Sequence, residues 1–304
     1  MPRRRYHRVG VLFGGPSAER EVSLDSGKAV VSGLREAGYE CDAVELPARE
    51  FRIADGVEAV FIALHGEFGE DGQIQAELDR QGMPYTGSGA VCSRRCMDKR
   101  RSKEVFRAAG IPTPEYELLQ AGGTRTLPLP VVVKPVAQGS SIGVHRVRKE
   151  AEWNKAVENT LLFGPEVLVE SYIAGRELTV GIVDRDVFPV VEIVAPNAWY
   201  DFGAKYRKGS TRYIVPAELD SGTTESCLRV AREAFEALGC RGFGRVDMRL
   251  SEDGQPYVLE LNTIPGFTAT SLLPKAAASV GVSFPDLCDR IMATATCDSP
   301  APDR

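Results

Sequence analysis

Two carboxylates set opposite each other across a hairpin constrain this chain more tightly than any composition figure. The arms Arg245-Val-Asp247-Met-Arg-Leu250 and Tyr257-Val-Leu-Glu260-Leu-Asn262 largely alternate in polarity, as strands do, and Ser251-Glu-Asp-Gly-Gln-Pro256 reads as the turn between them. Pairing Leu250 with Tyr257 sets Asp247 opposite Glu260 and Arg245 opposite Asn262. Like charges directly across a ladder destabilise it, so two acids and an amide aimed at one spot call for a cation. The donors are hard oxygens with no histidine or thiol among them, which selects Mg²⁺ or Mn²⁺ over zinc. Two acids alone would read as a solvated hairpin. Against that stands the stiff turn Thr263-Ile-Pro265-Gly266-Phe-Thr268, which follows Asn262 and re-aims the backbone.

The first hundred residues alternate strand and helix. Strands are expected at Val9–Phe13, Cys41–Leu46, Ala59–Leu64 and 83–86, with helices over Ser17–Ala37 and Asp71–Gln81. Glycines after the strands complete the pattern of an open parallel sheet, whose sites lie beyond the C-terminal strand ends. Gly14-Gly15-Pro-Ser-Ala-Glu19 and His65-Gly66-Glu-Phe-Gly69 stand there. A helix over Met97–Ala109 leads to Pro112 and Pro114, and the chain then turns strand-rich at Val131–Lys134, Gly143–Val147, Val167–Ile173 and Leu178–Val183, with one helix near Glu150–Thr160. A third region holds a strand, an irregular stretch at Trp199–Pro216, a helix at Thr223–Leu238, the hairpin and a closing helical segment. The 304 residues thus divide into units 1–98, 99–186 and 187–304, the first α/β and the second α+β.

A net charge of −5 argues against a nucleic-acid binder. No apolar run approaches the ~20 residues of a membrane span, and Val9–Phe13 is too short for a signal segment, so a cytoplasmic protein is expected. Seven scattered cysteines without a C-x-x-C, and only three histidines, give no expectation of a zinc site.

No Walker A sequence or complete dinucleotide fingerprint occurs. The best phosphate cradle is Lys134-Pro-Val-Ala-Gln-Gly139-Ser140-Ser141-Ile-Gly143, whose backbone N–H groups and hydroxyls can fold over phosphate oxygens. The segment Glu166-Val-Leu-Val-Glu170-Ser171-Tyr172-Ile173-Ala-Gly175-Arg-Glu177 offers strand-edge groups to an adenine and a carboxylate to ribose hydroxyls. Trp199-Tyr200-Asp201-Phe-Gly203-Ala-Lys205-Tyr206-Arg207-Lys208-Gly209 has the cations, aromatics and glycines of a lid over an anion.

In this order the pieces resemble the D-alanine–D-alanine ligases of the ATP-grasp superfamily, from Val9 to about Ala293. The resemblance rests on Gly14-Gly-Pro-Ser-Ala-Glu-Arg-Glu-Val-Ser23, His65-Gly66 with Gly69-Glu-Asp-Gly-Gln73, Met97-Asp-Lys99, Lys134-Pro135, Gly139-Ser-Ser-Ile-Gly143, Ala204-Lys-Tyr206 and Glu260-Leu-Asn-Thr-Ile-Pro-Gly-Phe-Thr268. It implies a three-domain ATP-grasp fold with the nucleotide between the central and C-terminal domains. Lys99, Lys134 and Ser141 then contact ATP phosphates, Glu170, Ser171 and Ile173 face the adenine, and Glu177 faces the ribose. Asp247, Glu260 and Asn262 hold two Mg²⁺ or Mn²⁺ ions. Glu19 and His65 belong to the pocket for the first D-alanine, Ser271 and Leu272 to that for the second. Arg245 and the Gly266 backbone face the oxyanion. Lys205 and Tyr206 sit on the lid, with Tyr206, Ser140 and Glu19 in one hydrogen-bonded link.

Two positions depart from the family pattern. Ser171 stands where many relatives have lysine, and Gly203 replaces an acidic lid residue. The resemblance implies ATP-dependent joining of two D-alanines for peptidoglycan precursors by a homodimer. The alternatives are a ligase taking D-lactate or D-serine second, and a nucleotide-binding protein without turnover. The latter would be expected to have lost part of the Lys99, Lys134, Asp247, Glu260 and Asn262 set, which is complete.

Overall fold

The computed structural model describes residues 5–195 and 211–298. Strand β1 (Arg8–Gly14) is buried on both faces, as its Val-Leu-Phe run demands, and lies parallel between β2 (Glu40–Leu46) and β3 (Ala59–Ile62). Helix α1 (Arg20–Glu36) crosses between β1 and β2 and stops before Gly38, whose φ of +90° suits only glycine well. After α2 (Gln73–Arg80), the strand expected at 83–86 reduces to single bridges from Tyr85 to Val60 and Thr296. The one helix expected over 97–109 is two, α3 (Ala90–Met97) and α4 (Lys99–Ala108). Asp98 breaks them with an extended backbone, and its carboxylate caps α4 by accepting from Arg101 N at 3.2 Å.

The second sheet is antiparallel, in the order β4-β7-β5-β6: β4 (Tyr116–Gln120), β5 (Val131–Pro135), β6 (His145–Val147) and β7 (Glu166–Ser171). Helix α5 (Glu150–Leu161) joins β6 to β7 and closes a small core of Val131, Val133, Val147, Val167 and Val169. The strand expected from Gly143 starts at His145, because Ser140, Ser141 and Gly143 all have positive φ and shape a loop instead.

The third sheet runs β11-β10-β8-β12-β13, with β9 paired to β8. Its strands are β8 (Arg176–Val183), β9 (Asp186–Val187), β10 (Val191–Val194), β11 (Arg212–Ile214), β12 (Phe243–Leu250) and β13 (Pro256–Asn262). Helix α6 (Ser221–Ala237) covers one face. Strand β11 lies inside the stretch expected to be irregular. Strand β8, assigned from sequence to the unit ending at 186, pairs with β12 over its whole length. The sheets therefore separate in the link 172–175, and we propose that link as the boundary between the second and third units.

The hairpin register agrees with expectation at one end only. Arg245 pairs with Asn262 and Asp247 with Glu260, but a bulge at Asp247/Met248 shifts the rest, and Leu250 pairs with Pro256 instead of Tyr257. Leu259 is the extra residue, and it lets the site end and the turn end keep separate registers.

Helices α7 (Leu272–Ser279) and α8 (Phe284–Ala293) return to the first sheet. Tyr6 Oη donates to Ala295 O at 2.9 Å and Tyr39 Oη to Asp289 Oδ1 at 2.7 Å. Phe267, just beyond Gly266, meets the rings of Phe61, Phe243 and Phe284 at 5.4–5.8 Å between centroids. One core thereby joins both ends of the described chain.

Candidate active site

The acidic hairpin fixes the first part of the site. Strand alternation puts Arg245 and Asp247 on one face of β12, and the Arg245 guanidinium forks onto the Asp247 carboxylate through Nε and Nη2, both at 2.8 Å. Asn262 Nδ2 donates to Asp247 Oδ2 at 2.9 Å, and Thr179 Oγ1 on β8 donates to Oδ1 at 2.6 Å. Glu260 lies 3.2 Å from Lys99 Nζ, which also donates to Gln138 O at 2.6 Å. The opposed carboxylates are thus balanced by two protein cations. The side chains of Asp247, Glu260 and Asn262 offer hard oxygen ligands, a set that fits a divalent ion in place of those cations.

Of these residues, Lys99, Gln138, Asp247 and Glu260 line a cavity between the second and third sheets. Its volume is about 90 Å³, and it is lined among others by Lys99, Lys134, Ser141, Glu177, Asp247 and Glu260. Glu170, Ser171 and Ile173 also line it, but the Glu170 carboxylate is held between the ammonium groups of Lys134 and Lys103. Burial pushes the Glu170 carboxyl up, yet the two ammoniums outweigh it and hold the group below its ordinary range.

Sequence reading missed Lys103. It is fully buried on the inner face of α4 with Lys99 and Phe106, and donates to Thr113 Oγ1 at 2.5 Å. The helical spacing of 99, 103 and 106 was the available signal. Arg249 was missed too. Its guanidinium reaches Ile173 O at 3.1 Å, Gly175 O at 2.8 Å, Glu177 Oε2 at 3.2 Å and Tyr172 Oη at 3.3 Å, and lies over the Tyr172 ring. One side chain on β12 therefore holds the whole link from β7 to β8.

Burial holds the Lys103 ammonium down to about 8, against the opposing pull of Glu170. An unfolded chain keeps that proton up to the ordinary 10.5, so between these values the unfolded state binds more protons and stability rises with pH. Denaturant titrations across this window should show the rise in the wild type and its loss in Lys103→Met. Parallel curves for the two proteins would mean that Lys103 titrates normally.

At the far side of the phosphate-type loop, Ser140 Oγ donates to Glu19, and the Glu19 carboxylate packs so closely that a Cβ on Gly66 would lie 2.8 Å from it. His65, 3% exposed, does not point into open space. Its Nδ1 faces Ile264 O at 2.9 Å and its Nε2 faces Ser26 Oγ at 2.9 Å, while Ser26 Oγ accepts from Phe267 N at 3.1 Å. A single tautomer satisfies this chain, with the proton on Nδ1, and it fixes the turn carrying Gly266 from both sides. Next to it, burial raises the Glu70 carboxyl above its ordinary range, with Glu19 adding to the effect. Ser271 Oγ accepts from Thr268 N at 3.0 Å and stands 3.7 Å from where a Gly266 Cβ would be. Leu272 starts α7 and is buried. Lys205, Tyr206 and Gly203 lie outside the described residues.

Residues 105–293 match the family described as D-ala D-ala ligase C-terminus, and residues 47–88 match D-ala D-ala ligase N-terminus. The D-alanine--D-alanine ligase of Anaeromyxobacter dehalogenans is 46% identical over 94% of this chain and 96% of its own. Among solved structures, the D-alanine--D-alanine ligase of Bacillus anthracis complexed with ATP superposes with a TM-score of 0.82 at 33% identity, over 95% of this chain and 97% of that one. The VanG D-Ala:D-Ser ligase of Enterococcus faecalis gives 0.84 at 29% identity, over 95% and 99%.

Proposed function

Because the chain belongs to the D-alanine–D-alanine ligase family, we propose that it joins two D-alanines into D-alanyl-D-alanine at the expense of ATP, for peptidoglycan precursors. One observation carries the site reading: a single cavity brings together Lys99, Lys134, Glu177, Asp247 and Glu260 from four separate stretches of the chain.

A carboxylate is too poor an acceptor for an amine, so ATP phosphorylates the first D-alanine and the second D-alanine's amine then displaces phosphate. Lys99, Lys134 and the Ser141 loop hold the phosphates, Ser171 and Ile173 flank the adenine, and Glu177 faces the ribose. Asp247, Glu260 and Asn262 would hold two Mg²⁺ or Mn²⁺ ions, which when bound offset the charge on the transferring phosphoryl group. Glu170 acts from behind, by setting the position of Lys134. Glu19, oriented by Ser140, faces the first D-alanine, with Ser271 and Leu272 at the second. His65 serves the same pocket by holding the 264–267 turn, so that the Gly266 N–H and Arg245 meet the oxyanion; such a donor is worth ~3–4 kcal/mol. Lys205 and Tyr206 would close the site, since water would hydrolyse the acyl phosphate. A homodimer and a cytoplasmic location belong to this proposal; among the described residues no helix is long and apolar enough to cross a membrane.

Incubation with ATP, Mg²⁺ and D-alanine, D-lactate, D-serine or L-alanine, followed by mass analysis, tests the reading. D-alanyl-D-alanine with ADP and phosphate is expected. A mixed D-serine or D-lactate product in its place would move the protein to the alternative ligases, and no product would favour binding without turnover.

Arg249 contributes by positioning. Replacing it with methionine should raise the KM for ATP about tenfold, the equivalent of one ~1.5 kcal/mol charged hydrogen bond, while the KM for D-alanine stays put. Equal changes in both constants would point to general unfolding of the third sheet.

A further inference from the structure

Three cysteines from two distant stretches of the chain meet at one point away from the cavity. Cys92 and Cys96 stand one turn apart on the inner face of α3, and Cys240 reaches them from the turn after α6. Their sulfurs are separated by 3.2 Å (Cys92–Cys240), 3.7 Å (Cys96–Cys240) and 3.8 Å (Cys92–Cys96). We propose that Cys92, Cys96 and Cys240 form a binding site for a thiophilic d¹⁰ cation of the Zn²⁺ or Cu⁺ class, which pins α3 to the third sheet.

The dimensions support this. A tetrahedral ion with Zn–S bonds of ~2.3 Å requires sulfurs about 3.8 Å apart. Two of the three edges already match, and the third needs to open by about half an ångström. Among the described residues this is the one group of three or more His, Cys, Asp or Glu side chains close enough to share an ion. An all-sulfur set favours soft and borderline ions and rejects Mg²⁺ and Ca²⁺, so this site and the acidic hairpin would not compete for the same metal.

The surroundings suit a charged cluster. The Ser88 hydroxyl lies against Cys92 and Cys240 and is held there by the Arg241 backbone, and a water would complete the coordination. The Arg95 guanidinium lies near the three sulfurs, where a cation favours thiolates. Three thiolates around a divalent ion leave one net negative charge, and Arg95, anchored to Leu238 O at 2.8 Å, faces it. Binding would release the thiol protons to solvent. Cys240 is only partly buried, which gives the ion a way in.

The consequence would be a staple between segments nearly 150 residues apart. Helix α3 ends at Met97, two residues before Lys99, so fixing α3 also fixes the root of a cavity lysine.

The test uses the full chain, reduced and stripped of metal, titrated with Zn²⁺ against a chromophoric chelator. One tightly bound equivalent is expected. Cys92→Ser and Cys240→Ser should each weaken it at least 100-fold, while Cys297→Ser should not. Cobalt in place of zinc should give a thiolate-to-metal charge-transfer band that both cluster variants lose. The melting temperature of the wild type, but not of either cluster variant, should rise with Zn²⁺. Melting of the metal-free variants near the metal-free wild type shows that they fold. No bound equivalent in the reduced wild type, or equal binding in all the variants, overturns the proposal. So does isolation in air with Cys92 and Cys240 joined as a disulfide that resists exchange for metal.

Discussion

Glutamine at position 260 is expected to lower the rate of dipeptide synthesis at least ~100-fold, since even outer-shell partners of metal ligands cost 10–100-fold. The amide keeps the size of Glu260 and removes one of the two facing carboxylates. Stability should barely move. The substitution relieves repulsion from Asp247 in the paired register, yet it also removes the charge that Lys99 approaches at 3.2 Å. These effects oppose each other, and the buried Lys99 ammonium keeps its bond to Gln138 O when the carboxylate is lost. A steady-state ADP-release assay and a thermal melt on the same sample separate the two results. A variant that keeps near-normal turnover but melts well below the wild type would make Glu260 a structural residue.

Alanine at Glu170 should have the largest effect on folding. Lys103 and Lys134 share this carboxylate, and Lys103 has no exposed surface of its own. Removing one member of a buried pair typically costs 3–5 kcal/mol, because the charge left behind cannot be solvated. Lys134 lines the cavity and can reach water there; Lys103 cannot. Adding Lys103→Met to Glu170→Ala should therefore recover much of the lost stability, whereas adding Lys134→Met should recover little. Denaturant midpoints of the singles and doubles give the coupling energies directly. If both doubles recover equally, burial does not distinguish the two lysines.

Much of this was legible in the sequence because period and charge speak locally. The Val-Leu-Phe run of β1, the glycine stops and the register at Asp247 and Glu260 all follow from a few neighbouring residues. What failed depended on contacts that a single stretch cannot report. The bulge at Leu259 is hidden because Tyr257–Asn262 alternates acceptably in either register. Strand β4 is half-buried along most of its length, so it shows no contrast between faces. Strand β8 reads as apolar whichever sheet it joins, and only its pairing with β12 assigns it. Lys103 looks like any lysine in a basic helix until Glu170 arrives from β7. The cysteines looked scattered because their meeting point lies between α3 and the end of α6. His65 was read as a pocket residue from resemblance, and the geometry adds a route by which it acts, through Ser26 and the 264–267 turn.

The core that joins both ends of the chain sets a timetable for its birth. When Tyr85 leaves the ribosome, the first parallel sheet has three strands but lacks α8 and the Thr296 backbone that closes over Tyr85. Those partners are made roughly two hundred residues later, tens of seconds at a synthesis rate of ~5–20 residues per second. The second sheet, whose small core lies within residues 119–169, can settle during that wait. The N-terminal unit, first to be made, is therefore among the last to be completed. A stop codon a few residues before Thr296 would damage the unit at the opposite end of the gene.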